Sequence, residues 1–502
     1  MTRVHTSRVR RLTRRDVLRG FGVAGAGSLA LLLGACSSPT PTPTATSAPA
    51  AAAPTAAPTT APAAPTAAPT AAPTTAAAGA TATPASQAAT TPTAASNTAL
   101  SVPKGFDIHL LQWSSFVAEA DAEIKRQAAD FGKQYGGTVT IDIVNGNDLQ
   151  AKVSAAVQSQ SGPDIIQMEY NWPWLYSDAC IDLSEEAKTL ETKLGGYYDF
   201  MKSYSLVNGK WLAIPYTVVS NAWTYRTDWW KQVTGSEKFP ETLDDLYTQG
   251  VEMKKAGHPV AQAMGHAYGD ANTMWYGTLW NFGGQEVDQD GKTVKINSPE
   301  TEAALAWAAK MYKDTFDPSV LSWDDSSNNR AYLAQTISAT QNGASIYIVA
   351  KQKYADIAKV TDNAVEPKGP KSDLPGYEIQ LNFEHAVMKW SKYQDAAKAF
   401  IVWLMQPAQY SKWLGQSAGY NVGPLHYYDD DPVWNTDPKL KPFKDAIKAS
   451  RWPGWPASPG RQAAEALSKY IVVDMFAKVA QGTSPKDAMT WAESQLKPIY
   501  GG

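Results

Sequence analysis

The stretch WLAIPYTVVSNAWTYRTDWWKQVTGSEKFPETLDDL, residues 211–246, decides how the chain is divided. Residues 211–215 have the composition of a short strand, and residues 218–226 form a second run rich in β-branched and aromatic residues. The TLDD sequence at 242–245 is a capping box, which predicts a helix that ends near Gly257. This order of elements is typical of a chain that leaves one compact unit and begins another.

The composition sets the broad class of protein. The chain has 502 residues, a net charge of −3, 19% charged residues and 44% hydrophobic residues. These values fit a soluble globular protein with more than one lobe. Because basic residues are not in excess, the composition gives no indication of a nucleic-acid partner.

The first 36 residues predict an export signal. A basic start is followed by a Gly/Ala/Leu run at 21–35, which is too short to span a membrane stably. TRRDVLR at 13–19 resembles a twin-arginine signal, although Val17 and Arg19 stand where such signals usually have Phe and Lys, so the general secretory route stays open. LGAC at 33–36 looks like a bacterial lipobox, which predicts that Cys36 is lipidated; the alternative is an ordinary cleaved signal.

Residues 37–103 predict a disordered linker. The segment is almost entirely Ala, Pro, Thr and Ser, and residues 37–100 carry no charge. Such a composition cannot bury enough apolar surface to offset the entropy of ordering. We expect a flexible tether between the membrane and the folded part, and a glycosylated stalk is compatible with the same composition.

Several chemistries have no motif in this chain. GFGVAG at 20–25 satisfies a dinucleotide-binding pattern, but it lies inside the export signal and no strand precedes it. The histidines are scattered without metal-ligand spacing, and neither a G-x-S-x-G elbow nor a paired CxxC is present. Cys180 has no partner once Cys36 is acylated, so we expect a buried free thiol. The sequence therefore predicts no cofactor, metal or catalytic residue.

The first folded segment predicts a parallel sheet. Strand patterns at 106–113, 138–144 and 164–168 alternate with helical patterns at 114–135 and 148–159. A β-α-β-α-β order places ligands near the carboxyl ends of the strands. Those ends carry WSS at 113–115 and EYNW at 169–172.

Several motifs together resemble the family-1 extracellular solute-binding proteins of ABC importers, the maltose-binding-like group. They are IPY at 214–216, YRTD at 225–228, PETLDDL at 240–246 and PDII at 163–166. The resemblance implies an α/β, two-lobed periplasmic-binding-protein-like fold of class II, in which each lobe is a mostly parallel sheet flanked by helices and a hinge joins the lobes. It places lobe 1 at about 104–216 plus a later return segment, and lobe 2 at about 217–370 plus the C-terminal helices.

The resemblance also implies part of a ligand site. Ser115, Asn171 and Trp172 fall where the family's sugar-contacting loops lie, and Asn342 falls in a ligand-facing loop after a strand. Maltose-binding members have charged residues at the positions of Asn171 and Trp172, so we expect a different sugar. His385, at the end of a strand, is a further candidate, although a lone histidine there is usually structural.

Aromatic residues supply the remaining candidates. The 18 Trp and 23 Tyr residues all follow residue 100, and the flat faces of sugar rings suit such side chains. Trp275, Tyr276 and Trp280 cannot share one helix face, so at least one should point to a cleft or to solvent. A rigid RWPGWP loop at 451–456 presents two Trp residues. The complete set of ligand-binding candidates is Trp113, Ser115, Asn171, Trp172, Tyr216, Asn221, Trp275, Tyr276, Asn342, His385, Trp452 and Trp455.

We therefore expect a lipid-anchored, monomeric binding protein on the outer face of the cytoplasmic membrane. It would close like a hinge on an oligosaccharide or glycoside and deliver it to the permease subunits of an ABC importer. A secreted glycoside hydrolase remains an alternative, because two carboxylates need no short motif. A surface protein that senses the solute is another.

Overall fold

The computed structural model describes residues 102–501. The predicted export signal, Cys36 and nearly all of the predicted linker lie outside the described residues. All described residues belong to one compact unit. None of the helices within 102–501 is long and apolar enough to cross a membrane.

The strands, in chain order, are β1 Asp107–Trp113, β2 Thr138–Val144, β3 Ile165–Glu169, β4 Leu206–Val207, β5 Lys210–Trp211, β6 Ile214–Val219, β7 Ala222–Arg226, β8 Ala339–Asn342, β9 Thr361–Ala364, β10 Glu378–Ile379, β11 Leu381–Val387 and β12 Ser450–Arg451. The first half of the described chain contains the helices Ala118–Tyr135, Gly146–Ser159, Trp172–Leu175, Ser184–Lys193, Asp199–Ser205, Thr227–Thr234, Leu243–Lys255, Asp270–Asn281 and Pro299–Thr315. The second half contains Ser327–Leu333, Ser345–Lys353, Ala355–Lys359, Gln394–Leu404, Pro407–Gln416, Lys441–Ala446, Arg461–Ser468, Ile471–Ala480 and Pro485–Tyr500. Short 3-10 helices occupy Ser177–Ala179, Pro318–Ser322, His426–Asp430, Pro432–Asn435, Pro438–Leu440 and Ile447–Ala449.

A five-stranded sheet, in the order β2-β1-β3-β11-β6, forms the core of the first lobe. β1 is parallel to β2 and to β3, as the β-α-β-α-β pattern predicts. The two connecting helices bury apolar faces that include Phe131 and Val153. Burial of such faces against a sheet supplies most of the stability of amphipathic helices.

A three-stranded sheet, in the order β8-β7-β9, forms the core of the second lobe, and both of its pairings are antiparallel. β11 is likewise antiparallel to β3 and β6 in the first sheet. The prediction that each lobe contains a mostly parallel sheet is therefore wrong for the second lobe and holds for only half the pairings of the first. The reason is the path of the chain: β7 leads away from the first lobe, whereas β8 and β9 lead back towards it.

The link between the lobes contains two adjacent chain passages. Residues 220–221 join β6 to β7, and Gln380 lies between β10 and β11. The two passages are tied together, because the Asn221 N–H donates to Gln380 Oε1 at 2.9 Å. A third segment lies beside them, since Val218 and Val422 exchange backbone hydrogen bonds at 3.0 and 2.8 Å. The lobe boundaries predicted near residues 216 and 370 stay predictions.

The helix ends in the structure agree with the sequence pattern at one place and differ from it at another. The Thr242 hydroxyl accepts the Asp245 N–H at 3.0 Å, which confirms the capping box. The helical pattern over 461–481 predicts one helix, but Tyr470 adopts a left-handed conformation, with φ 55°, between Arg461–Ser468 and Ile471–Ala480. Its ring stacks on His266 with centroids 4.2 Å apart, and this tertiary contact outweighs helix propensity.

Cys180 is a buried free thiol, as the sequence predicts. Burial raises its pKa to about 12, because the thiolate would lose its hydration. It is therefore protonated and unreactive at neutral pH.

Glu286 attaches the C-terminal helix to the second lobe. Its carboxyl accepts hydrogen bonds from Tyr276 Oη at 2.8 Å and from Tyr500 Oη. Burial raises the pKa of Glu286 to about 7, so the folded state holds its proton more tightly than the unfolded state does. This stabilisation is complete below about pH 4.5 and is lost as the pH rises through about 7.

We expect Glu286→Gln to flatten part of the pH dependence of stability. The wild-type protein should lose up to about 3 kcal/mol more free energy of unfolding between pH 4.5 and 8 than the variant, because glutamine has no proton to lose. Urea denaturation at several pH values measures the difference between the two proteins. Parallel curves would show that Glu286 does not titrate in this range.

Candidate binding cleft

Three cavities of about 110, 40 and 230 Å³ lie side by side between the lobes, and we call them together the interlobe cleft. The first two share residues 113–116, and the first and third share Gly146 and Asn147. The first lobe contributes residues that follow the ends of β1, β2 and β3. The facing side of the 110 and 230 Å³ cavities is formed by His266, Tyr268, Asp324, Asp325, Ser326 and Tyr470. Tyr420 and Asn421 line the 40 Å³ cavity from beside β6, where Thr217 Oγ1 lies 3.3 Å from Asn421 Oδ1.

Trp113 lies in the wall shared by the two smaller cavities. Its backbone N–H donates to Gln167 Oε1 at 3.0 Å, and its ring meets Phe383 edge-on with centroids 5.5 Å apart. Gly146 packs directly on the indole: a Cβ at this glycine would lie 2.3 Å from Trp113 Cε2. Gly146 and Phe383 thus both restrict the position of the ring.

Ser115 follows Trp113 and is held by Asp121. The Ser115 N–H lies 3.0 and 3.2 Å from the two carboxylate oxygens of Asp121. Burial raises the pKa of Asp121 to about 6 despite this hydrogen bond. Both residues line the cleft, where they offer sites for hydroxyl groups.

Tyr216 lines the 40 Å³ cavity, and His385 lies behind it. The two rings stack with centroids 4.3 Å apart. Burial lowers the pKa of His385 to about 3, so the imidazole is neutral at physiological pH. Neither ring nitrogen has a hydrogen-bond partner among the described residues, and His385 serves here as a flat support for Tyr216.

A row of aromatic rings crosses the cleft. Trp172, from the first lobe, donates its indole N–H to Tyr268 Oη at 2.5 Å, and the ring centroids are 5.6 Å apart. Tyr170 and Tyr470 contact Tyr268 from other sides, at 5.5 and 5.9 Å. We call these four residues, Tyr170, Trp172, Tyr268 and Tyr470, the aromatic row.

Three buried carboxyl groups lie close to the aromatic row. Glu169 is fully buried, and neither of its oxygens has a hydrogen-bond partner among the described residues. Asp270 Oδ2 is also without one. Asp325 instead accepts backbone N–H groups of Gly269 and Asp270 at 2.8 to 3.2 Å. Burial raises the pKa of both Glu169 and Asp270, and the charge of Asp325 raises them further.

Two predicted aromatic contacts lie in the core of the second lobe. Trp275 is fully buried, stacks on Phe476 at 4.9 Å and donates its N–H to Ala263 O at 2.8 Å. Tyr276 is 1% exposed and donates to Glu286. The whole helix Asp270–Asn281 is buried, so the premise that one of its aromatic residues must face a cleft or solvent does not hold.

The three predicted asparagines are buried and line none of the three cavities. Asn171 donates to Gly460 O at 3.3 Å, while its Oδ1 has no partner within the described part of the chain. Asn221 lies at the passage between lobes and reaches Thr273 Oγ1 at 3.5 Å. Asn342 donates to Ser345 Oγ at 3.0 Å. Their contacts with ligand stay predictions.

Trp452 and Trp455 lie together outside the three cavities of the cleft. Trp452 donates its indole N–H to Ala457 O at 2.7 Å. Trp455 is half-buried beside Tyr377, and the Arg451 guanidinium lies 5.1 Å from its ring centroid. Of the candidates, the structure thus gathers Trp113, Ser115, Trp172 and Tyr216 in the cleft.

Sequence reasoning did not select several residues that lie in the cleft or are buried beside it. Glu169 and Tyr170 were visible at the end of β3 and could have been chosen on that ground. Asp325 and Tyr268 belong to no local motif, because only tertiary folding brings them to β3. Within the described residues, no group of three or more His, Cys, Asp or Glu side chains is arranged to hold a metal ion.

A larger cavity of about 470 Å³ lies elsewhere, between the helices Ser345–Lys353 and Pro407–Gln416. Its lining is mainly apolar and includes Ile348, Val433 and Leu440. We take the smaller interlobe cleft as the candidate binding site, because aromatic rings and polar side chains line it together, whereas the lining of the larger cavity is mainly apolar.

Comparison with known proteins identifies relatives of the chain. A family model for bacterial extracellular solute-binding proteins matches residues 126–442. The diacetylchitobiose binding protein DasA of Streptomyces coelicolor is 23% identical over 284 residues, which cover 55% of this chain and 64% of DasA. The chain thus matches less than two thirds of the length of this relative.

Solved structures share the fold. Maltose-bound MalE3 of T. maritima aligns with a TM-score of 0.67 and 19% identity, covering 78% of this chain and 99% of the other. A sugar transporter from Arthrobacter chlorophenolicus A6 with bound laminaribiose gives a TM-score of 0.68 and 15% identity, with coverage of 78% and 99%. At these identities the likeness establishes the architecture alone, and it confirms the predicted two-lobed fold.

Proposed function

Because the chain belongs to the family of bacterial extracellular solute-binding proteins, we propose that it captures a carbohydrate between its lobes and delivers it to an ABC importer. The observation that carries this proposal is the interlobe cleft, where the aromatic row stands beside buried oxygens that lack partners. Sugar rings offer apolar faces for stacking and hydroxyl groups that donate to carboxylates and amides. The relatives named for binding diacetylchitobiose, maltose and laminaribiose support the same solute class.

The geometry supports capture by closure. Trp172 and Tyr268 belong to opposite lobes, and their hydrogen bond forms only when the lobes approach each other. The tied passages at Asn221 and Gln380 restrict the movement to a hinge. A solute that contacts both walls favours the closed state, because it binds that state more tightly than the open one.

The extracytoplasmic setting of the proposal rests on the sequence before residue 102. A lipidated Cys36 would anchor the protein to the outer face of the cytoplasmic membrane, and residues 37–103 would allow the lobes to reach a permease. The role is that of a monomeric binding protein without catalytic chemistry.

The test is a thermal-shift screen of the purified protein against a broad panel of sugars. We expect one or a few saccharides to stabilise the protein by about 2.7 kcal/mol at 100 times their Kd, which raises the Tm by a few degrees. No shift with any sugar, together with shifts by amino acids, polyamines or phosphate esters, would contradict the carbohydrate proposal.

Incubation with labelled oligosaccharides separates the proposal from the glycosidase alternative. We expect the oligosaccharides to be recovered at full length after prolonged incubation. Shorter products that disappear in Glu169→Gln would instead assign the buried carboxyl to catalysis.

A further inference from the structure

The residues that line the interlobe cleft include several acids and neither lysine nor arginine. The residues around the three cavities include Asp121, Asp324 and Asp325, and no Lys or Arg is among them. His266 is the remaining titratable nitrogen at the rim, and it is paired with Asp474 at 2.8 Å. Arg330 approaches Asp324 to 3.4 Å, but it is exposed and also bonded to Ser326 and Ser327.

Glu169 is a buried acid that lacks both hydrogen-bond donors and a counter-ion among the described residues. Its two oxygens have no hydrogen-bond donors among the described residues. The groups that interact electrostatically with Glu169 are all acids and phenols: Asp325, Glu384, Tyr170, Tyr268 and Tyr470. A buried carboxyl without donor or counter-ion is costly to a fold and is a candidate for contact with a ligand.

Two further observations favour a ligand group beside Glu169. Asn171, two residues along, is fully buried with a free Oδ1, so a second acceptor is also without a donor within the described chain. Three members of the aromatic row, Trp172, Tyr268 and Tyr470, line the 230 Å³ cavity, and the charge of Glu169 acts on Tyr268 and Tyr470. Acceptors and ring faces together are the environment that binds an organic cation, whose charge is attracted both by carboxylates and by π-systems.

We propose that the preferred solute is a saccharide that carries a protonated amine, whose ammonium group is bound by Glu169 within the aromatic row. This inference rests on the proposed carbohydrate-binding function and specifies its substrate class. A metal ion does not meet the same need, because the described acids are not grouped as metal ligands.

Binding of the ammonium group changes the protonation of the cleft. Burial and the neighbouring charge of Asp325 raise the pKa of Glu169 in the empty protein. An ammonium group at hydrogen-bond distance favours the carboxylate, so its binding releases a proton to solvent. A neutral saccharide brings no charge and releases none.

The experiment compares three β-1,4-linked trisaccharides by titration calorimetry on the full-length protein: those of glucosamine, N-acetylglucosamine and glucose. We expect the glucosamine compound to bind at least about tenfold more tightly than either neutral one, and more weakly as salt is added. Titrations in buffers of different ionisation enthalpy should show release of up to about one proton, for the amine alone.

Glu169→Gln tests the assigned residue. We expect the variant to bind the amine and the neutral compounds with affinities in a ratio of about one, and to release no proton. The neutral compounds should still bind. Glu286→Gln is the matched control, because Glu286 is also a fully buried glutamate but lies in the core of the second lobe. It should retain the preference. The wild-type proton count tests the inference even if Glu169→Gln fails to fold.

The outcomes distinguish failure of this inference from failure of the proposed function on which it rests. Equal or tighter binding of the neutral trisaccharides would overturn the ammonium site and leave carbohydrate binding standing. Binding of choline or spermidine, without binding of any saccharide in the panel, would overturn the proposed function itself.

Discussion

Replacing Gly146 with alanine is expected to lower the affinity for the solute at least about 100-fold. The new methyl group would lie 2.3 Å from Trp113 Cε2 and 2.5 Å from Cζ2, far inside van der Waals contact. Phe383 also packs against the indole, with ring centroids 5.5 Å apart, so we expect relief of the clash to displace the ring and the cleft wall. Overpacking of this kind costs about 1–3 kcal/mol of stability, partly offset by the better helix propensity of alanine.

Gly415→Ala is the matched control for this experiment. Gly415 also lies in a helix, Pro407–Gln416, and a Cβ there would meet nothing within 4 Å. We expect its affinity to stay within about twofold of wild type. Calorimetry with any saccharide that stabilises the protein measures both variants, and an unchanged affinity in Gly146→Ala would remove Trp113 from the binding surface.

Asp325→Ala is expected to destabilise the protein by about 2–4 kcal/mol. Its carboxylate accepts the N–H groups at the start of the helix Asp270–Asn281, and the side chain is 7% exposed. Removal leaves buried donors without acceptors and deletes a negative charge from the positive end of the helix dipole. The variant also removes the repulsion between Asp325 and the carboxyl groups of Glu169 and Asp270. The loss of stability should therefore be smaller than for a buried helix cap without acidic neighbours.

Urea denaturation measures this loss, and Asp317→Ala provides its comparison. Asp317 caps the short helix Pro318–Ser322 by accepting the Ser319 N–H at 2.8 Å, but it is partly exposed. Water replaces that bond, so we expect a loss of about 1 kcal/mol or less. Equal losses in the two variants would show that burial adds nothing at Asp325.

The sequence predicted those parts of the fold that depend on local periodicity. β1, β2 and β3 with their two connecting helices form the expected parallel unit because apolar spacing and short connections determine such a unit almost alone. Strand direction in β11 and β8 is decided by which lobe the chain has just left, and no local pattern encodes it. The break at Tyr470 likewise depends on His266, more than two hundred residues earlier.

The same distinction explains the site. Trp113, Ser115 and Trp172 follow strand ends on one sheet, so their neighbourhood follows from topology. Trp275 and Tyr276 looked like contacts because aromatic residues suit sugars, but a helix buried on all sides uses them for packing. Asp325 and Tyr268 reach Glu169 only through the closure of two lobes, which spacing along the chain does not reveal.

The inert thiol of Cys180 makes the hinge directly observable by fluorescence. A buried, protonated sulfur does not compete for maleimide reagents, so the native cysteine of the lobes need not be removed before labelling. Lys133→Cys on the first lobe and Lys353→Cys on the second would each add one exposed attachment point. A donor and an acceptor dye at these two points would report opening and closing as a change in energy transfer, molecule by molecule.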